Sequence, residues 1–184
     1  RQIDSIVDQK YTKWNLLVRD DGSQDGTVSI LDEYSVRDHR IRYVVNKTER
    51  HGWKQNFQCL LQLSWGGKEP YFMFSDQDDI WMPNKLESLL QVMIELEGRN
   101  PGKPILVYGD MQIIDDNDVI KQYSFNSLYN IRVKHPTDCF FSQRILGCNM
   151  MFNNKLMEDV CRTIGEDVYE NLSHDGLVAK VAAA

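Results

Sequence analysis

No stretch of the sequence approaches the roughly 20 consecutive apolar residues that a membrane-crossing helix requires. No run of Lys or Arg occurs either, and the formal net charge is -6. A nucleic-acid backbone, which is held by a concentrated positive footprint, is therefore not an expected partner. The four cysteines, Cys59, Cys139, Cys148 and Cys161, form no C-x-x-C pair and no disulfide-dense pattern. A cystine-stapled scaffold is excluded, and they read as reduced, mostly buried thiols of an intracellular protein. None of their pairings with His39, His51, His135 or His174 has structural-zinc spacing. A glycine-rich basic phosphate loop is missing near the start, which counts against a nucleotidyltransferase. There is no internal repeat, no visible signal peptide, and no low-complexity tract beyond Ala182-Ala183-Ala184.

What is present is an ordinary globular composition: 184 residues, 42% hydrophobic and 10% aromatic, enough to bury a core in one domain. Ile3, Ile6 and Val7 are helically spaced and read as the end of a helix. Trp14–Val18 predicts a buried strand that stops at Asp20-Asp21-Gly22-Ser23. A helix carrying Val28, Ile30, Leu31 and Tyr34 follows, with Thr27 as its expected cap. Ile41–Val45 is the next strand, and the polar loop Asn46–Gly52 leads to a helix with Phe57, Leu60 and Leu61. Tyr71–Phe74 is again strand-like. Pro83 is expected to open a long amphipathic helix through Leu86, Leu89, Leu90, Met93, Ile94 and Leu96. Ile105–Tyr108 and Asn149–Phe152 read as strands, Val119–Tyr123 as a weak one, and Lys155–Ile164 as a helix. Ser173 caps a last helix at His174-Asp175. This alternation predicts an α/β layer fold with a mainly parallel central sheet flanked by helices. Ligands of such sheets sit at the carboxyl ends of strands, where both acidic clusters fall.

Asp76-Gln77-Asp78-Asp79 places three carboxylates within four residues at a strand end. Their mutual repulsion is relieved by a divalent metal, which binds carboxylate and phosphate oxygens together. An acidic turn capping the following helix is an equal reading on spacing alone. Asp20-Asp21-Gly22-Ser23-Gln24-Asp25-Gly26 has three readings. It is an Asx-turn, a nucleotide-facing turn, or the start of a calcium loop running from Asp21 to Asp32. The calcium reading is second choice, because position twelve is Asp32 and the entering segment is strand-like. Asp175 stands where a general base or a first-turn helix partner would. Lys54 and Arg50 are candidates to meet an anionic ligand, with surface solvation as the plainer alternative.

The succession Val18-Arg19-Asp20-Asp21-Gly22-Ser23-Gln24-Asp25-Gly26-Thr27, then Asn46, then Phe74-Ser75-Asp76-Gln77-Asp78-Asp79-Ile80-Trp81-Met82-Pro83-Asn84-Lys85-Leu86, resembles family 2 glycosyltransferases. Gly147-Cys148-Asn149 and His174-Asp175 continue it in order. The wording around Asp76 is most similar to rhamnosyltransferase-like enzymes that build bacterial surface polysaccharides.

The resemblance implies a GT-A-type fold, a nucleotide-diphospho-sugar donor, a saccharide or lipid-linked saccharide acceptor, and inversion at the anomeric carbon. Mg2+ or Mn2+ is the implied cofactor. Asp20 and Asp21 match positions that contact base and ribose, and Lys54 falls near a basic residue facing the nucleotide. Asp76 and Asp78 match the D-x-D element, with Asp78 the expected metal ligand and Asp76 nearer the ribose. Asp175 matches the catalytic base. The implied location is the cytoplasm, at the inner face of the membrane through peripheral association. The family's first strand is absent, Gly176-Leu177 stand where aromatics commonly follow the His-Asp pair, and the acceptor-shaping C-terminal part is missing. Residues 1–184 are thus expected to be a single catalytic domain truncated at both ends.

Overall fold

The computed structural model describes residues 1–133, 135, 137–138, 145–163 and 172–184. Cys139 and Ile164, expected as a buried thiol and a helix end, lie outside them. In chain order the described elements are α1 (Gln2–Val7), β1 (Leu16–Asp20), α2 (Thr27–Arg37), β2 (Ile41–Val45) and α3 (Trp53–Ser64). Then come β3 (Tyr71–Met73), α4 (Lys85–Arg99), β4 (Leu106–Tyr108), β5 (Ile113–Ile114), β6 (Ile120–Gln122) and α5 (Phe125–Leu128). A 3-10 turn at Gly147–Asn149 precedes β7 (Met150–Asn153), α6 (Asn154–Thr163) and α7 (His174–Ala183). They form two compact units, Tyr11–Gly67 and Arg1–Lys10 with Lys68–Ala184.

The unit Tyr11–Gly67 is a β-α-β-α segment. β1 and β2 pair in parallel, Leu16 against Ile41 through Asp20 against Val45. Parallel neighbours need a crossover, and α2 supplies it, packing on β2 while α3 packs on β1. Leu31, Ile41 and Leu61 form its buried apolar centre. The expected cap of α2 is corrected by one residue. Gly26 holds the cap position, Thr27 is the first helical residue, and the Asp25 carboxylate accepts the Thr27 N–H at 2.9 Å.

In the other unit β7 lies between β3 and β4 and runs antiparallel to both. All four β7 residues are buried although successive side chains point to opposite faces, so both faces of the strand are covered. Phe152 stacks on Phe72 with ring centroids 5.7 Å apart and meets Phe74 at 5.4 Å. α4 packs on β4 and β7, α6 on β7 and β3, and α7 on α6. Asn153 closes the strand. Its Oδ1 accepts from the N–H groups of Ile105 and Leu156, and its Nδ2 donates to Glu97 and Lys103, each at 3.0 Å. The weak strand signal at Val119–Tyr123 is β6, paired with β5. Pro83 sits in the turn ahead of α4, two residues before its first helical position.

The short α1 has a role that its hydrophobic spacing does not announce. Its polar side chains hold the segment between β3 and α4. Gln2 donates to Ser75 Oγ at 2.6 Å, and Ser5 Oγ accepts the Trp81 N–H at 2.9 Å. Just past α1, Gln9 is buried, donates to the Met82 carbonyl at 2.8 Å, and accepts the Leu86 N–H at 3.1 Å. Gln9 thereby satisfies an N-terminal donor of α4, whose own cap residue Asn84 makes no side-chain cap bond. The Lys10 N–H adds a bond to the Pro83 carbonyl at 2.9 Å. Gln9→Ala leaves buried partners unpaired, which costs about 1–3 kcal/mol for such groups. A fall of that size in unfolding free energy, read from urea titrations, is the expected result.

Candidate functional site

After β3 the chain turns, with Gln77 and Asp78 at the exposed corner. A turn of this kind brings its first and fourth residues together, here Asp76 and Asp79. One oxygen of each and the Cys148 sulfur all lie within 4.8 Å of one another. Asp79 Oδ2 is sealed from solvent and accepts no hydrogen bond among the described residues. Burial pushes the Asp76 carboxyl up to about 6, helped by the negative charges of Asp79, Asp78 and Asp175. Asp78, the expected metal ligand, is therefore outside this group because it occupies the corner of the turn. Asp79, not singled out from the sequence, is inside it.

The donor set fits a hard dication through the two carboxylates. Cys148 does not add to it. Burial, then the neighbouring charges of Asp79 and Asp76, push its thiol up to about 12, so it stays neutral and is a weak partner for Mg2+ or Mn2+. Cys148 is instead part of the wall. Its carbonyl oxygen accepts from the Lys85 ammonium at 2.6 Å. Burial lowers the pKa of Lys85, while Cys148, Asp79 and Asp76 act in the opposite sense.

The turn Gly147–Asn149 carries this wall against the start of α7. A Cβ added at Gly147 would stand 2.5 Å from His174 Nε2 and 3.4 Å from Asp175 Cβ, so only glycine allows the approach. The His174 ring meets Phe74 edge-on at 4.6 Å. Burial pushes its imidazole down to about 4 against the opposing charge of Asp175, which keeps it neutral near pH 7. Ser173 caps α7 as expected, its hydroxyl accepting the Gly176 N–H at 3.3 Å. Asp175 is buried in the first turn, with Oδ1 accepting the same N–H at 2.7 Å. Asp175 thus lies against Gly147, the residue before Cys148, whose sulfur joins Asp76 and Asp79, all in one unit.

Asp20, Asp21 and Lys54 belong to the other unit. Asp20 is buried, and its Oδ2 accepts the N–H groups of Gly22 and Ser23 at 2.9 and 3.0 Å, the Asx-turn arrangement. Asp21 accepts from Asn46 Nδ2 at 2.8 Å and from the Gly52 N–H at 2.6 Å, and pairs with the buried Arg19 at 3.3 Å. Gly52 presents that N–H from a φ of 108°, a conformation side chains disfavour. Burial raises the pKa of Asp21, but these donors, with His51, outweigh it and lower the value. Lys54 is half-buried in the first turn of α3, its ammonium 5.5 Å from the Trp53 ring centre. The carboxylates of the calcium reading are turned to other partners here. Asp32 accepts the Tyr43 hydroxyl, Asp25 bonds the Thr27 N–H, and no group of three ligands forms among Asp21, Asp25 and Asp32.

Comparison with known proteins then decides the kinship. The model of Glycosyl transferase family 2 matches residues 1–161. The chain belongs to this family. Its fold is accordingly the α/β GT-A type, and the nucleotidyltransferase reading is set aside. The chain is similar to the UDP-Glc:alpha-D-GlcNAc-diphosphoundecaprenol beta-1,3-glucosyltransferase WfgD of Escherichia coli, 31% identical over 66% of this chain and 43% of that protein. It is also similar to the putative teichuronic acid biosynthesis glycosyltransferase TuaG of Bacillus subtilis, 37% identical over 50% of this chain and 35% of the relative. The dTDP-rhamnosyl transferase RfbG of Shigella flexneri is 29% identical over 50% and 32% respectively. The matched segments thus span less than half of these relatives' lengths. Among the described residues, no helix is long and apolar enough to cross a membrane.

The raised Asp76 carboxyl gives a signed pH effect. A group whose folded pKa lies above the unfolded value stabilises fully below the unfolded value of 3.8, and that contribution is lost as pH rises through about 6. In metal-free protein Asp76→Asn is therefore expected to raise the melting temperature at pH 7.5, with a smaller gain at pH 5 and none below the unfolded value. Differential scanning calorimetry of both proteins at the two pH values measures it.

Proposed function

We propose that the chain is the catalytic domain of an inverting glycosyltransferase. It moves a hexosyl or rhamnosyl group from a nucleotide-diphospho-sugar to a hydroxyl of a saccharide or lipid-linked saccharide, in bacterial surface-polysaccharide synthesis. The observation that carries this is the placing, in one unit, of the Asp76/Asp79 pair and the buried Asp175 on either side of the Gly147-Cys148 turn. The family membership and the named activities of the relatives support it.

In this reading Asp76 and Asp79 hold Mg2+ or Mn2+ from within the turn. Asp78, exposed on the corner, would offer such a cation a further carboxylate oxygen, and so keeps its assignment as a metal ligand. A bound dication supplies positive charge to the diphosphate oxygens as the leaving group departs. Asp175 takes the proton from the acceptor hydroxyl, whose oxygen attacks the anomeric carbon as the bond to the nucleoside diphosphate breaks. Neutral His174, wedged against Phe74 and Gly147, fixes the start of α7 and so the position of that carboxylate. In the other unit Asp20, Asp21 and Lys54 take the nucleotide-facing roles that the family resemblance implies. The place of action is the cytoplasmic face of the membrane, reached by peripheral association with a lipid-linked acceptor.

Thermal stabilisation by UDP-, GDP- and dTDP-sugars, each with and without Mn2+, tests donor binding. One donor is expected to raise the melting temperature only with the cation, and failure of all three would sink the proposal. Asp175→Asn in the intact protein is expected to lower kcat by about 10²–10⁴-fold with donor binding retained, the range for loss of a general base. An unchanged kcat would remove Asp175 from that role.

A further inference from the structure

Lys85 is the first residue of α4 and is tied down on two sides. Its ammonium donates to the Cys148 carbonyl at 2.6 Å and lies 4.3 Å from the centre of the Trp81 ring. Trp81 is itself buried, so the stem and head of Lys85 are packed against a fixed surface. The carbonyl it bonds belongs to the residue whose sulfur closes the group with Asp76 and Asp79. An ammonium carries three N–H donors, and among the described residues this one spends a single donor.

We propose that Lys85 is a resident counter-cation of the Asp76/Asp79 pair, weakening its hold on a free dication and meeting the donor's diphosphate with its two unspent N–H groups. Cation and nucleotide are then taken up together. The inference rests on the donor-site reading above and deepens it. A dication meeting two carboxylates that already face an ammonium is held less tightly than it would be by the carboxylates alone. Like charges in one partly dry place repel, and Lys85 cannot swing away without giving up its carbonyl bond and its ring contact. A diphosphate arriving with the cation brings negative charge for both the cation and Lys85, and the compact ammonium is a point charge suited to phosphate oxygens.

The test separates charge from scaffolding because the two predict opposite signs. Calorimetric titrations of the 184-residue chain use MnCl2 alone, then UDP, GDP and dTDP at saturating Mn2+, for the parent protein, Lys85→Met and Lys85→Arg. Lys85→Met is expected to bind Mn2+ alone about ten-fold more tightly than the parent and the accepted nucleotide about ten-fold more weakly. Lys85→Arg, which keeps the charge, is expected to stay near the parent in both. Equal or weaker Mn2+ binding by Lys85→Met overturns the counter-cation. Tighter Mn2+ binding with unchanged nucleotide affinity overturns the diphosphate contact. If the parent binds none of the three nucleotides, the donor-site reading falls, and the Mn2+ titrations still decide the role of the charge.

Discussion

Two carboxylates closed on each other by a tight turn in a half-dry wall are the constraint around which the larger unit is arranged. Both are partly withdrawn from water, and Asp79 Oδ2 has no donor among the described residues. The turn persists because it is pinned from outside by α1 and its flank, through Gln2, Ser5, Gln9 and Lys10. The opposite wall is the Gly147–Asn149 turn, which Lys85 ties to α4. Electrostatic strain is thus concentrated at one point and held there by neutral hydrogen bonds elsewhere, an arrangement typical of sites that await a ligand.

Both units show an acidic pair after a strand, and the outcomes differ for a physical reason. Asp20 and Asp21 find donors within their own unit: backbone N–H groups of Gly22, Ser23 and Gly52, the amide of Asn46 and the guanidinium of Arg19. Asp21 is accordingly more acidic than an isolated carboxyl. Asp76 meets mainly other carboxylates and loses water, so it is less acidic. The same residue type at the same kind of strand end becomes a brace in one unit and part of a concentrated negative charge in the other. The supply of local donors decides between the two.

Much of this was legible in the residues. Alternating apolar runs and helical patterns gave β1 to β4, and the cap at Ser173 was visible from spacing. The acid cluster itself stood out. Three things were not readable. Which acids converge depends on which residue takes the corner of the turn, and spacing treats Asp78 and Asp79 alike. Gln9 and Lys85 act on partners 77 and 63 positions away, and a polar residue near a helix end carries no mark of such a partner. The direction of β7 was also hidden, because a fully buried strand shows no alternation and its sense is set by its neighbours.

The place of β7 has a consequence for how the molecule is made. Among the described residues β3 and β4 do not pair with each other, and each pairs with a strand that begins at Met150. During synthesis, which proceeds from the N-terminus at about 5–20 residues per second, their edges wait without a partner until that strand emerges. The turn bearing Asp76 and Asp79 precedes the closing strand, and the wall at Cys148 comes immediately before it. Birth of the site and closure of the sheet are therefore one event. A nascent chain cannot complete this acidic cluster before the facing edges of β3 and β4 are covered.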